Sequence, residues 1–213
     1  MRSHVFFIVC LLSACSAQAQ KRFSEGTVTY SISITIPTDT VATTMTAIQK
    51  LKGGHVRMDI ISTTGRTTSL YDNREGSGAF ISEMGAKRLM VPLTEADWRD
   101  RNSWYIHSGI NWLEETKDIL GYACQKAEVT LKNGTNAVVF YAKGLVIENN
   151  DTDLQFGDIP GMVLEYTLSN KASTVRYQAT ALNFDPVPIQ QFDIPTAGYR
   201  VLDYKSSKEL KKN

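Results

Sequence analysis

Gly26 to Ile36 reads GTVTYSISITI and alternates without a fault. Val28, Tyr30, Ile32, Ile34 and Ile36 fall on one side of an extended chain, while Thr27, Thr29, Ser31, Ser33 and Thr35 fall on the other. A period of two in β-branched residues specifies a strand with one dry face and one wet face. A helix would scatter those apolar residues around its whole circumference. Pro37 ends the run, because proline cannot donate to a sheet ladder.

The same grammar continues. Met45 to Lys52, His55 to Ser62, Thr67 to Asp72, Gly78 to Ser82 and Arg88 to Leu93 read as short strands. Gly53-Gly54, Thr64-Gly65 and Asn73 to Gly76 supply the turns between them. Glu115 to Leu120, Ala123 to Leu131, Ala137 to Lys143, Met162 to Leu168 and Thr174 to Phe184 follow. Asn133-Gly134 tolerates positive φ and predicts a type I′ hairpin turn. Helix is scarce: Thr94 to Arg101 has the capping-box spacing of Thr94 and Asp97, and a second short helix is expected near Gln155. The pattern predicts a mainly β protein with one or two short helices. About eleven twisted strands cannot stay flat, so the antiparallel sheet curves strongly into a barrel or half-barrel. Its interior must be filled by side chains, covered by a helix, or left as a pocket.

The beginning of the chain reads as a secretory signal over residues 1–19: Arg2, an apolar stretch from Val5 to Leu12, then the small-residue cleavage site Ala17-Gln18-Ala19. Leu12-Ser13-Ala14-Cys15 also fits a lipobox, in which Cys15 becomes a lipid anchor. Both readings send the chain to the cell envelope or beyond, to the periplasm or outer membrane of a Gram-negative bacterium. The apolar run is too short to remain as a membrane span. One domain is expected over residues 20–204, with a basic, solvated tail at 205–213. The chain carries 23 basic and 22 acidic residues, a balance without the footprint of a nucleic-acid binder. After cleavage only Cys124 is left for the folded domain, so no disulfide is expected and Cys124 reads as a core residue.

Constellations for chemistry are missing. His55 and His107 stand far apart, with no His-x-His or Cys-x-x-Cys pair beside them. Gly76-Ser77-Gly78 has the wrong spacing for a nucleophile elbow and reads as a turn. Asn149 to Asp153 opens like a calcium loop but lacks the glycine and the closing glutamate. Catalytic, cofactor and metal sites are therefore assigned to no residue, and the chain is expected not to be an enzyme. The suggestive group is aromatic: Trp98, Trp104, Tyr105 and Trp112 crowd the central connection. Trp suits the rim of a half-wet pocket, and equally the plug of a helix onto a sheet.

In FGDIPGMVLEY, Phe156 to Tyr166, Pro160-Gly161 fits a type II turn, after which Met162, Leu164, Tyr166 and Leu168 face one way. Together with ETKDILGYACQKAEV, Glu115 to Val129, this phrase resembles the GLPGLI family, exported proteins of unknown function from Bacteroidetes-type bacteria. The family's hexapeptide falls on Asp158 to Val163, matching at Pro160 and Gly161, with Asp158 in place of the leading glycine. The usual Trp-Tyr-Thr and Gly-Pro spacer is replaced by VFYAKGLVIENN, as in a sister family. The resemblance covers about half the chain. It implies a fold similar to the carriers LolA and LolB, a curved sheet around a hydrophobic hollow, and offers no catalytic residue. The partners expected on this reading are a lipid or other apolar small molecule, or an envelope protein docked on a packed module.

Overall fold

The computed structural model describes residues 21–39, 41–148 and 156–210, with the side chains of residues 104, 107, 108 and 210 left out. The signal region with Cys15, the Asn149–Asp153 stretch and Gln155 lie outside the described residues.

The first half is β1 (Lys21–Phe23), β2 (Glu25–Thr35), β3 (Thr43–Lys52), β4 (His55–Ser62), β5 (Gly65–Asp72), β6 (Ser77–Met84) and β7 (Lys87–Thr94). Helix α1 (Glu95–Asn102) and a 3₁₀ turn (Ser103–Tyr105) link it to the second half. That half contains β8 (His107–Ile119), β9 (Tyr122–Leu131), β10 (Asn136–Ala142), β11 (Leu145–Ile147), β12 (Met162–Ser169) and β13 (Thr174–Asn183). A final 3₁₀ turn (Ile189–Phe192), β14 (Arg200–Val201) and α2 (Tyr204–Leu210) complete the chain.

Twelve strands form one sheet in the order β14-β7-β6-β5-β4-β3-β2-β13-β12-β10-β9-β8, and β1 pairs with β11 in a small parallel ribbon. Apart from the parallel β14–β7 contact, the large sheet is antiparallel. The two meanders join where β13 runs against β2, from Thr174 opposite Thr35 to Asn183 opposite Thr27. The sheet is strongly curved and does not close, as a half-barrel.

Contacts from the central connection show the direction of the bend. The Arg101 guanidinium lies 3.9 Å from the Phe80 ring centroid on β6. Four residues on, Tyr105 lies in electrostatic range of Tyr177 on β13. Four helical residues span roughly 7 Å. Five strand spacings in a flat sheet would hold β6 and β13 about 24 Å apart. The connection therefore lies over the face carrying Phe80 and Tyr177, the inner face of the curved sheet.

Register puts Val28, Tyr30 and Ile32 on that inner face, with Ala47 opposite Tyr30 and Met45 opposite Ile32. Val28, Ile32 and Ala47 have no exposure at all. A second buried cluster, with Val129, Val139, Tyr141, Phe156 and Ile159 among its members, fills the inner face at the β9–β12 end. A third, of Leu70, Ala79, Ile81 and Met90, lies on the opposite face, where Tyr199 packs on it. It is dry because residues 184–203 cross the outside of the first meander as a strap. Arg57 Nη1 donates to the Gln191 carbonyl at 2.8 Å, Tyr199 Oη to Glu83 at 2.8 Å, and Leu202 N to Met90 O at 2.9 Å.

Several local expectations are corrected. Positive φ at Asn133, needed for a type I′ turn, is not observed; Gly134 alone is left-handed there, at φ 80°. The Gly134 N–H bonds the Leu131 carbonyl at 2.8 Å, so the hairpin uses a type I turn followed by a left-handed glycine. The turn with two positive φ values is Leu120-Gly121, at 56° and 79°. Strand β8 begins at His107 instead of Glu115, because its pairing with β9 is irregular between Trp112 and Thr116 and hides the alternation. The stretch read as a solvated tail forms α2 as far as Leu210.

Candidate functional site

The connection over the inner face is built from a well-signalled helix. Thr94 caps α1: its hydroxyl accepts from Asp97 N, and the Asp97 carboxylate accepts from Thr94 N at 3.0 Å. Trp98 on the next turn stacks on Tyr71 of β5, with centroids 4.6 Å apart and planes 16° apart. From the other side, α2 holds α1 through Asp100, whose Oδ2 accepts from Tyr204 Oη and Lys208 Nζ, each at 2.7 Å. Burial and the hydrogen bond to Asp100 push the Tyr204 hydroxyl up to about 12.

One polar atom in this arrangement is unsatisfied. The Trp98 Nε1–H is buried and has no hydrogen-bond partner among the described residues. A buried donor without an acceptor costs about 1–3 kcal/mol.

Around it, the inner wall is apolar and incompletely covered. Ile34, Met45, Val56, Met58, Ile60 and Tyr177 pack against the buried cluster of Val28, Tyr30 and Ile32 but are themselves only partly buried. Tyr177 stacks on Tyr166, 4.4 Å centroid to centroid and 11° from parallel. Burial raises the pKa of Tyr105 and of Tyr177. Both phenols therefore stay neutral.

The four aromatic residues singled out from the sequence fall on two parts of the fold, the connection and strand β8. Trp98 and Tyr105 belong to the connection over the wall. Trp112 sits on edge strand β8, is 47% exposed, and meets Tyr141 edge-on at 5.7 Å. Trp104 is in the 3₁₀ turn, and its side chain is outside the described residues.

Two ionic clusters escaped the sequence reading. Asp59 is 1% exposed and accepts from Arg57 Nε at 2.8 Å and from Thr68 Oγ1 at 2.6 Å. Glu165, 5% exposed, accepts from Lys117 Nζ at 2.6 Å and Arg176 Nη2 at 2.8 Å. Alternation places Asp59 on the wet side of β4, and only the strap, whose Gln191 lies 134 residues beyond Arg57 in the chain, makes that side dry. Cys124 is fully buried, and burial pushes its thiol up to about 11, so it is not a poised nucleophile. Among the described residues no group of three or more His, Cys, Asp and Glu side chains could hold a metal ion. No helix among them is long and apolar enough to cross a membrane.

No protein-family profile and no curated protein matches the chain. Solved structures do. PNGF-II superposes with a TM-score of 0.50 at 14% identity over 87% of this chain and 33% of its own. The present chain thus spans about a third of that protein, and the likeness is one of fold. A LolA superfamily protein from Nitrosomonas europaea aligns at TM-score 0.39 and 10% identity, over 83% of this chain and 93% of its own. A lipoprotein-sorting protein domain from Vibrio parahaemolyticus aligns at 0.40 and 11%, over 83% and 92%.

Proposed function

We propose that this is a non-enzymatic, exported envelope protein that takes a lipid or another apolar ligand against the inner wall of its half-barrel. The observation that carries the reading is the incomplete burial of Ile34, Met45, Val56, Met58 and Ile60 on the inner face. Apolar side chains lining a concavity gain about 25 cal/mol per Å² when a ligand removes them from water. The Trp98 N–H, without a partner among the described residues, adds one polar anchor suited to a carbonyl or headgroup oxygen. Kinship with the GLPGLI-like proteins, residence in the periplasm or at the outer membrane, and a lipid on Cys15 or cleavage after Ala19 belong to the same proposal. So does the division into a signal at 1–19 and one folded domain.

A second reading makes the chain a packed interaction module. It is favoured by Phe156 and Ile159, which fill the inner face at the β9–β12 end, and by exposed Trp112 on β8, the terminal strand of the sheet. Native mass spectrometry of the protein, gently extracted from its own membrane or supernatant, separates the two. Added mass of a lipid supports the carrier. A bare chain that also takes up no fluorescent fatty acid leaves the packed module. The intact mass reports Cys15 acylation or Ala19 cleavage in the same spectrum.

A further inference from the structure

We propose that the cavity under the C-terminal strap is a second binding site, on the outer face of the sheet, for a small organic cation with an apolar body such as an alkylammonium. The cavity measures about 300 Å³ and lies between the β4–β6 end of the sheet and the 3₁₀ turn of the strap. That is the lower end of the size range of small-molecule sites. Leu70 forms its floor, while Ile189, Phe192 and Ile194 come from the strap. Ile189 and Ile194 are 44% and 38% exposed, so the apolar lip is open to a ligand.

The polar part of the lining sets the sign of charge. His55, Asp72, Ser77 and Asp193 face the space, and neither lysine nor arginine lines it. Asp72 Oδ1 is committed to its own turn, accepting from Arg74 N at 2.9 Å and Glu75 N at 3.4 Å. Its Oδ2 faces His55 Nδ1 at 3.4 Å. No ion pair of the Asp193 carboxylate occurs among the described residues, and the residue is exposed at the cavity mouth. Of the guanidinium groups around it, that of Arg74 lies along the Gly53-Gly54 turn, and that of Arg57 is engaged by Asp59 and the Gln191 carbonyl. The His55 and Phe192 rings, 5.4 Å apart, add aromatic faces that favour a cation. An anion would meet two carboxylates, and a neutral ligand would leave them without a counter-charge.

The site binds and does not catalyse. His55, Asp72 and Ser77 sit opposite one another across β4, β5 and β6, but the aspartate occupies the middle position. A nucleophile relay needs the imidazole between carboxylate and hydroxyl.

The test is titration of the full-length, delipidated protein with hexylammonium, hexanol and hexanoate, followed by ¹H–¹⁵N NMR. Saturable shifts at His55, Phe192 and Ile194 are expected, tightest for hexylammonium. Asp193→Asn, which breaks no hydrogen bond among the described residues, should weaken hexylammonium about tenfold and leave hexanol unchanged. Equal affinity for all three probes, no saturable shift with any of them, shifts at Met58 and Ile60 instead, or an Asp193→Asn variant that binds hexylammonium normally overturns the proposal. A lipid at the inner wall has no bearing on these outcomes, so the two sites stand or fall separately.

Discussion

The hydroxyl of Tyr30 donates to the carbonyl oxygen of Val163 at 3.2 Å, and it does so across a strand. Tyr30 is on β2 and Val163 on β12, with β13 between them. The crossing is possible because Ala179 is the residue of β13 opposite Tyr30, and because β12 and β13 pair only from Glu165 onward. Tyr30 is 5% exposed and Val163 8%, so the carbonyl has no water to turn to. Tyr30→Phe should cost about 1–2 kcal/mol, the loss of one bond plus an acceptor left buried. The check is a lower urea midpoint at unchanged slope.

Gly161 explains the Ile-Pro-Gly phrase differently from a type II turn. Its N–H bonds the Ile159 carbonyl at 2.8 Å, two residues back, so Pro160 centres an inverse γ-turn. A Cβ at Gly161 would lie 2.3 Å from the Ala142 carbonyl oxygen, and its φ is +158°. Gly161→Ala should therefore cost about 3 kcal/mol or more. Pro160→Ala should cost about 1 kcal/mol or less, since it mainly frees the unfolded chain. Paired denaturation curves measure both, and equal costs would remove the close-approach argument.

How much of this was legible depended on whether the cause was local. The dry side of β2 was readable at Val28, Tyr30 and Ile32, because alternation is a property of the strand itself. The capping box of Thr94 and Asp97 was readable for the same reason. The burial of Asp59 was not, because its lid is the strap, and nothing near Asp59 in sequence announces Gln191. Of the aromatic group, Trp98 and Tyr105 lie over the wall, and Trp112 lies on edge strand β8, against Tyr141. The irregular pairing between Trp112 and Thr116 concealed that it sits on a strand. The wall residues Met45, Met58 and Ile60 gave no signal beyond ordinary core, since the sequence does not show which apolar side chains stay uncovered.

Leu120 carries a positive φ of 56° at the β8–β9 turn and is 41% exposed. A branched residue in that region is strained, and asparagine tolerates it. Leu120→Asn should stabilise the protein by about 0.5–1 kcal/mol. A higher urea midpoint is the expected reading.

Acid should unfold the chain through two named carboxylates. Burial raises the pKa of Asp59, but hydrogen bonds from Arg57 and Thr68 outweigh it and hold the carboxyl below its ordinary value. Burial likewise raises Glu165, and the bonds from Arg176 and Lys117 bring it below its own. A carboxyl depressed in the folded state contributes stability above its unfolded pKa, near 4. That contribution is lost as pH falls through the folded value. The urea midpoint should hold between about pH 7 and 5 and decline below about pH 4. Asp59→Asn should cost about 3 kcal/mol at neutral pH, because Arg57 stays 18% exposed without its partner. The variant's acid decline should also be shallower.

Trp98→Phe separates the two functional readings. The substitution keeps a six-membered ring to stack on Tyr71 and removes the pyrrole part of the indole with its N–H, which bonds nothing among the described residues. Relief of the unpaired donor offsets the buried ring atoms lost, so stability should change by less than about 1 kcal/mol, whereas Trp98→Ala, which removes the stacked ring, should cost about 2 kcal/mol. If the indole serves a ligand on the inner wall, Trp98→Phe should weaken binding of a fluorescent fatty acid about fivefold, the worth of one hydrogen bond. Unchanged affinity at unchanged stability would reduce Trp98 to a plug. Affinity must then come from Met45, Met58 and Ile60, and Met58→Asp on the same wall should abolish uptake.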